Sequence, residues 1–224
     1  GCANYREFQA EMVKSNILNH QNIRGYAGVD EMSDIYQISQ KIFDTNIQCL
    51  ADTLSILDCD AIERLADLIV KSRQLCIFAQ GRSVVTAASI KHRLHRLGIA
   101  CCNYCDSHEQ AMAASLMKKG EVVMGISTYG RSRTVLKNLR IAASKGATVV
   151  GISSYRGTPL DEICDIMLVA SSNEETSFGF EPSCATVAQM VILDCLYILI
   201  TNRMKEEASE CFRLTCEAIE TERE

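Results

Sequence analysis

The stretch EVVMGISTYGRS, residues 121–132, joins an apolar run to a polar turn that contains glycine. Its first part, residues 121–127, is short and mostly apolar, as expected of a strand buried on both faces of a sheet. The polar part, residues 127–132, is followed by a helical pattern over 131–145. The stretch therefore predicts a buried strand, a polar loop and a helix in succession, which is the building unit of a parallel sheet.

The same order recurs along the chain. Four further apolar runs predict strands, at residues 75–79, 99–105, 148–153 and 166–169. Helices are predicted over residues 38–57, 60–69, 83–97, 107–118, 131–145, 183–203 and 205–221. In addition, Pro159 is expected to open a short helix before the last strand. This alternation predicts an α/β fold, a three-layer α-β-α sandwich around a five-stranded parallel sheet of the flavodoxin-like or Rossmann-like type.

The regularity of the pattern also divides the chain. Residues 1–15 are amphipathic with helical spacing, whereas residues 16–37 lose that spacing and carry asparagine, glycine and aspartate, as linkers do. The α/β pattern occupies residues 38–203, and residues 204–224 are expected to form a C-terminal helix with a polar face. A length of 224 residues suits one sizeable domain with short flanking segments.

The composition favours a cytoplasmic protein. We expect no signal peptide, so the 12 cysteines are interpreted as free thiols, often in place of a small apolar residue, as at Cys76 and Cys195. Cys101, Cys102 and Cys105 form a tight cluster, but no second pair or histidine group completes a zinc site, and we expect no metal and no cofactor. The apolar runs are too short to span a membrane. The net charge of −5 gives no global attraction to nucleic acid.

Small polar residues follow three of the predicted strands, at residues 79–83, 127–132 and 153–158. In an open parallel sheet the carboxyl ends of the strands share one edge, where ligands bind. Each segment precedes a predicted helix, so it offers free backbone N–H groups, a positive helix end and hydroxyls to a phosphate. One such loop is more often a simple helix cap, but recurrence at three strand ends favours a ligand site. The segments match neither the Walker loop nor the dinucleotide fingerprint.

Two of these segments resemble motifs of the SIS (sugar isomerase) domain. STYGRS, residues 127–132, resembles the S-x-S-G-x-[ST] phosphate loop, and FAQGRS, residues 78–83, resembles the earlier G-x-G-x-S loop. The chain departs from the family at two positions in these loops. Ala79 stands where the family usually has glycine, and Tyr129 stands where it has a small hydroxyl residue.

Further segments resemble the RpiR-type transcriptional regulators among SIS proteins. CDSHEQAM, residues 105–112, and the helix at residues 183–197 are similar to segments of that group. Residues 1–8 are similar to the end of its N-terminal helix-turn-helix domain, so residues 1–15 are interpreted as a remnant of that domain. The whole resemblance covers about residues 38–203 and implies the SIS fold for them.

The resemblance implies that the domain binds a sugar phosphate without converting it and so controls DNA binding by the missing N-terminal domain. It also implies a homo-oligomer, a dimer or tetramer, paired through the apolar helices at residues 38–57 and 183–203, with DNA contacted only through the missing domain. The ligand-binding residues implied by the resemblance are Gly81, Arg82, Ser83, Asp106, Ser127, Thr128, Tyr129, Gly130, Ser132 and Glu175.

Two other functions fit the same sequence. An aldose–ketose sugar-phosphate isomerase needs a base near the phosphate. The candidate bases are His92, His95, His108, Glu109, Glu174 and Glu175. No acid and base with a diagnostic spacing stand out among them, which favours a sensor. The remaining alternative is a dimerisation module with a vestigial site, because Tyr129 replaces a small hydroxyl residue in the phosphate loop.

Overall fold

The computed structural model describes residues 34–172 and 183–222. The predicted segment 1–15, most of the predicted linker 16–37, Glu174 and Glu175 lie outside the described residues. The elements, in chain order, are α1 (Ile35–Ile56), α2 (Cys59–Ser72), β1 (Gln74–Ala79), α3 (Ser83–His95), β2 (Ala100–Tyr104), α4 (Ser107–Leu116), β3 (Val122–Ile126), α5 (Arg133–Ser144), β4 (Thr148–Ser153), β5 (Ile166–Val169), α6 (Cys184–Met204) and α7 (Glu206–Glu220).

The five strands form one sheet in the order β2-β1-β3-β4-β5, and every neighbouring pair is parallel. The strands β1, β3 and β4 are buried along nearly their whole length, which explains their continuous apolar runs. The chain runs from β1 outward to β2 and then returns to the other side of β1 with β3. The direction of winding therefore reverses between β1 and β3.

Helices cover both faces of the sheet. Neighbouring side chains of a strand point to opposite faces, so each strand contributes to two separate cores. Leu75 and Ile77 of β1 belong to a core shared with α1, α2, α3 and α6. Cys76 and Phe78, which alternate with them, belong to a second core shared with α4 and α5. The three-layer α-β-α sandwich expected from the sequence is confirmed.

Two element boundaries differ from the prediction. The helix α1 begins at Ile35 because Asp34 accepts a hydrogen bond from the Gln37 amide at 2.9 Å, so its first turn takes in the last residues of the predicted linker. The prediction of a short helix that opens at Pro159 is wrong, because this region consists of turns. The local backbone bonds here are separate turns, from the Glu162 amide to the Thr158 carbonyl at 3.3 Å and from the Ile163 amide to the Leu160 carbonyl at 3.1 Å, and they do not repeat as a helix would require.

The cysteines divide by position in the fold. Cys76 and Cys101 are buried, as the interpretation of cysteine as a small apolar residue predicts, and burial raises the pKa of the Cys101 thiol to about 12. The same interpretation is wrong for Cys195, which is exposed on the outer side of α6. The expectation that every apolar run is too short to span a membrane is wrong for α6, which among the described residues has the length and apolar composition of a span. Its inward residues belong to the core beneath α2 and α3.

Candidate functional site

The candidate site lies where the winding of the sheet reverses, at the carboxyl ends of β1 and β3. Ligands of doubly wound α/β proteins bind in the crevice that such a reversal creates. Here the crevice is bordered by the β1 loop, residues 80–82, and the β3 loop, residues 127–132. Two of the three polar segments singled out in the sequence therefore meet at the position that the topology favours for a ligand.

The β3 loop is a tight turn held by its own first residue. The amide of Gly130 donates to the Ser127 carbonyl at 2.8 Å, and the amide of Ser132 donates to the Ser127 hydroxyl at 3.3 Å. Gly130 has φ +63°, a conformation that favours glycine. A Cβ atom at this position would lie 2.2 Å from Oγ1 of Thr158, so the packing also requires glycine.

The β3 loop is joined to the β1 loop through side chains. The Ser132 hydroxyl and Oε1 of Gln80 are 3.2 Å apart, with the hydroxyl donating. Ser132 is the N-cap residue of α5, yet its side chain makes no capping hydrogen bond to that helix. Gln80 was not among the predicted site residues. Its place in the polar segment 79–83, directly before the candidate residue Gly81, was the available signal.

The loop after β4 supports the β3 loop from the opposite side. The Thr128 carbonyl accepts hydrogen bonds from the Ser154 amide at 2.8 Å and from the Ser153 hydroxyl at 3.0 Å. The Leu160 amide donates to the carbonyl of Gly130. The third polar segment, residues 153–158, therefore holds the backbone of the β3 loop in place.

The Thr128 side chain points into a buried polar chain. Its hydroxyl oxygen accepts from Nε2 of Gln189 on α6, and Oε1 of Gln189 accepts from the Thr86 hydroxyl on α3, each at 3.3 Å. Gln189 is 1% exposed and Thr86 is fully buried. Sequence reasoning missed both residues, because each lies on an otherwise apolar helical face and meets Thr128 only through the tertiary fold.

Tyr129 is turned toward the β4 side of its loop. Its ring stacks on the ring of Tyr155, with centroids 6.0 Å apart and planes 14° apart. Since Ser132 contacts the β1 loop and Tyr155 follows β4, the ring lies on the side of the β3 loop that faces away from the crevice. Tyr129 as a whole residue is 37% exposed, and Ser127 and Ser132 lie on the same loop.

The β1 loop leaves open space at Gly81, directly before the start of α3. Gly81 has φ +58°, and a Cβ atom there would meet nothing within 4 Å, so space is open above this residue. Ser83 is buried at the start of α3, and its neighbour Arg82 is the N-cap residue without a side-chain capping bond. The Ala79 carbonyl accepts from Nε2 of Gln110 at 3.2 Å, which ties β1 to α4.

Asp106 has a different environment from the other predicted site residues. It caps α4, accepting hydrogen bonds from the amides of Glu109 at 3.1 Å and His108 at 2.8 Å. These bonds to the carboxylate lower the pKa of Asp106. It follows β2, and β1 lies between β2 and β3, so the fold does not place Asp106 beside the β3 loop. Glu175, the remaining predicted ligand residue, lies outside the described residues.

The described residues offer no evident metal centre. In the ranges 34–172 and 183–222 no group of three or more histidine, cysteine, aspartate or glutamate side chains is arranged to hold a metal ion. The predicted bases His92 and His95 are exposed on α3, and His108 and Glu109 are exposed in the first turn of α4. The chemistry assembled between the β1 and β3 loops is that of hydroxyl, amide and backbone N–H groups.

Comparison with protein families and curated proteins gives a consistent result. The family model of the SIS domain matches residues 68–199. An uncharacterized HTH-type transcriptional regulator of Caldanaerobacter subterraneus is 26% identical over 219 residues, which are 98% of this chain and 77% of the relative. The HTH-type transcriptional regulator RpiR of Escherichia coli is 26% identical over 77% of this chain and 58% of its own length. The HTH-type transcriptional regulator HexR of Pseudomonas aeruginosa is 27% identical over 91% of this chain and 70% of its own length.

Solved structures share the same fold. The Vibrio vulnificus NanR protein complexed with ManNAc-6P has a TM-score of 0.77 at 20% identity, covering 98% of this chain and 76% of NanR. The sugar isomerase domain of an RpiR transcription factor from Sphaerobacter thermophilus has a TM-score of 0.73 at 22% identity. The match covers 81% of this chain and 99% of that domain. A phosphoheptose isomerase from Francisella tularensis has a TM-score of 0.62 at 19% identity. The match covers 76% of this chain and 100% of the isomerase chain.

Proposed function

Since the chain belongs to the SIS domain family, we propose that it binds a sugar phosphate between its β1 and β3 loops and serves as the sensing domain of a transcriptional regulator. The observation that carries this proposal is the position of the β3 loop. A tight turn rich in hydroxyls lies at the reversal of the sheet and leads directly into α5.

The phosphate is proposed to occupy the N-terminal end of α5. The first amides of a helix have no partner within the helix and carry the positive end of its dipole. The Ser132 side chain does not cap them, which leaves this end of the helix suited to an anion. The Ser127 hydroxyl adds a donor, and the Ser132 hydroxyl adds a second when it turns from Oε1 of Gln80 to the phosphate. Arg82 on the β1 loop adds positive charge at the same sheet edge.

The regulatory role rests on the curated relatives. They are HTH-type transcriptional regulators, and the chain spans 77% of the length of one and 58% of another. We propose that DNA is contacted by a helix-turn-helix domain of which residues 1–15 are the last part. Binding of the sugar phosphate would then control DNA binding if it favours one arrangement of the domains over another.

A thermal-shift panel of hexose and pentose phosphates tests the proposal. A ligand that binds only the folded state stabilises it by about 2.7 kcal/mol at one hundred times its Kd. We expect at least one sugar phosphate to raise the melting temperature, while its dephosphorylated sugar, as a matched control, does not. A panel without any shift would contradict the proposal and would favour a dimerisation module with a vestigial site.

An isomerase is the second candidate, because a phosphoheptose isomerase shares this fold. Of the predicted bases among the described residues, His108 and Glu109 are exposed in the first turn of α4, which follows β2 at the same edge of the sheet. Incubation of the protein with the sugar phosphate found in the thermal panel, followed by NMR, distinguishes the two functions. A sensor leaves the ligand unchanged, whereas an isomerase produces the corresponding aldose or ketose phosphate.

We also propose that a second copy of the chain covers the exposed face of α1. Tyr36, Phe43, Ile47 and Leu54 follow one another at spacings of seven, four and seven residues, which places them on one side of the helix. Their exposure in the single chain is 71%, 69%, 62% and 72%. Four large apolar side chains in one stripe form a patch typical of a protein interface.

Sedimentation velocity tests this interface. We expect the unmodified protein to be a dimer or a tetramer, and Phe43→Glu to shift it to a smaller species because a charge would be buried in an apolar contact. Gln48→Glu is the control, since Gln48 is exposed on the same helix away from the stripe. A monomeric unmodified protein, or a Phe43→Glu variant that assembles normally, would contradict the proposed interface.

A further inference from the structure

We propose that Gln80 makes the site selective for phosphate esters that carry a hydroxyl near the phosphate, because it holds the Ser132 hydroxyl until such a ligand binds. This inference rests on the proposed function, since it concerns the same site between the β1 and β3 loops. It assigns a role in specificity to Gln80, which is not among the ligand-binding residues implied by the family resemblance.

Gln80 lies on the β1 loop, at the border of the crevice. The residue is half-buried, and its Oε1 accepts a hydrogen bond from the Ser132 hydroxyl of the β3 loop at 3.2 Å. The next residue along the chain, Gly81, has open space above it, since an added Cβ atom would meet nothing within 4 Å. The Gln80 amide group therefore lies beside the start of α5, with room next to it for the rest of a ligand.

The Ser132 hydroxyl cannot donate to Gln80 and to a phosphate at the same time, because a serine hydroxyl has one proton to donate. In the structure that proton is directed at Oε1 of Gln80, and the Ser132 side chain makes no capping bond to α5. When the hydroxyl turns to a phosphate at the start of α5, Oε1 of Gln80 loses its donor. A ligand that brings no new donor therefore binds at the expense of one hydrogen bond within the protein.

A sugar hydroxyl can replace the donor that Gln80 loses. A hydroxyl both donates and accepts hydrogen bonds, and an amide side chain offers an acceptor oxygen and two N–H donors. Within residues 34–172 and 183–222, Nε2 of Gln80 donates to no other group, so it is available to the same ligand. A sugar phosphate therefore keeps the Gln80 amide bonded while Ser132 binds the phosphate, whereas an alkyl phosphate leaves Oε1 without a ligand donor.

The test compares phosphate monoesters with and without hydroxyls. Calorimetry at about pH 8, where the phosphates of both classes are almost fully ionised, would measure the Kd of propyl phosphate and of glucose 6-phosphate, ribose 5-phosphate and N-acetylmannosamine 6-phosphate. The variant is Gln80→Met, which keeps a similar volume but removes the amide group. Gln48→Met is the matched control, since Gln48 is an exposed glutamine on α1, outside the crevice.

We expect Gln80→Met to change the two classes of affinity in opposite directions. Propyl phosphate should bind about 5-fold more tightly, because the Ser132 hydroxyl no longer gives up a partner. The sugar phosphate that binds most tightly to the unmodified protein should bind about 5-fold less tightly, because its bond to Gln80 is lost. In a Ser132→Ala background, Gln80→Met should leave the affinity for propyl phosphate unchanged, since no hydroxyl is held there. Gln48→Met should bind both ligands like the unmodified protein.

The outcomes separate this inference from the proposed function. If Gln80→Met leaves the affinity for propyl phosphate unchanged, or weakens both ligands alike, the role of Gln80 in selectivity is overturned and sugar-phosphate binding stays intact. A gain for propyl phosphate that persists in the Ser132→Ala background would also overturn it, because the gain would not come from the Ser132 hydroxyl. Failure of the unmodified protein to bind any sugar phosphate, in this set or in the thermal panel, would overturn the proposed function and the role of Gln80 with it.

Discussion

The hydroxyl of Ser132 donates a hydrogen bond to Oε1 of Gln80 across 3.2 Å, joining the start of α5 to the loop after β1. This contact spans the point where the winding of the sheet reverses. A hydroxyl that would ordinarily cap its own helix is instead directed across the crevice, next to the helix end where an anion is proposed to bind.

Replacement of this hydroxyl should weaken ligand binding. We expect Ser132→Ala to raise the Kd of the sugar phosphate about 10- to 100-fold, because a hydrogen bond to a charged group contributes about 1.5–3 kcal/mol. Titration calorimetry would measure the change. Ser144→Ala, at the exposed far end of the same helix, is the control and should bind like the unmodified protein. Equal affinities of the two variants for the sugar phosphate would show that the Ser132 hydroxyl does not contribute to ligand binding.

The turn at Gly130 should tolerate no side chain. Gly130→Ala should lower the free energy of unfolding by about 2–4 kcal/mol, from the left-handed conformation and from overlap with Thr158. Gly120→Ala is the control, since Gly120 has φ +91° but open space around it, and should lose only about 1–2 kcal/mol. Urea denaturation would compare them, and equal losses would show that the contact with Thr158 is unimportant.

The buried chain from Thr86 through Gln189 to Thr128 should contribute to stability. Gln189→Met keeps a similar volume but removes the partners of two buried hydroxyls, so we expect a loss of about 1–3 kcal/mol in the free energy of unfolding. Gln48→Met, on the exposed side of α1, should change it by less than about 0.5 kcal/mol. A Gln189→Met variant as stable as this control would show that the two threonines find other partners.

The cap of α4 should make stability depend on pH in the acid range. The pKa of Asp106 is lowered in the folded state by hydrogen bonds from the Glu109 and His108 amides. The charged carboxylate therefore stabilises the fold above its ordinary pKa of about 3.9, and this contribution is lost as the pH falls through the lower folded value. Asp106→Asn keeps a good cap but does not ionise.

Urea denaturation of both proteins between neutral and strongly acid pH checks this expectation. The difference in the free energy of unfolding between the unmodified protein and Asp106→Asn should be constant near neutral pH and shrink toward the acid end. A difference that stays constant throughout would show that the Asp106 carboxylate has the same pKa in the folded and unfolded chain. NMR titration of this carboxyl group would measure the folded pKa directly.

Much of the fold follows from local pattern. The runs at residues 148–153 and 166–169 coincide with β4 and β5, and the other strands agree within two residues at each end. Strands buried on both faces are apolar without interruption, and the helices between them show helical spacing, so each element carries its own signal. The local signal failed at Pro159, where the segment forms separate turns although proline is a common first residue of a helix. This segment is also bound to a distant one, since the Leu160 amide donates to the carbonyl of Gly130, 30 residues earlier in the chain.

The sequence by itself determined the parallel α/β architecture and the polar β3 loop, because both depend on residues that are neighbours along the chain. Only the tertiary structure decided the strand order, which brings the β1 and β3 loops together and leaves Asp106 beyond β1. It also decided that Thr128 meets Gln189 and that the Tyr129 ring rests on Tyr155. Contacts between distant segments depend on how the layers pack, and no local period encodes them.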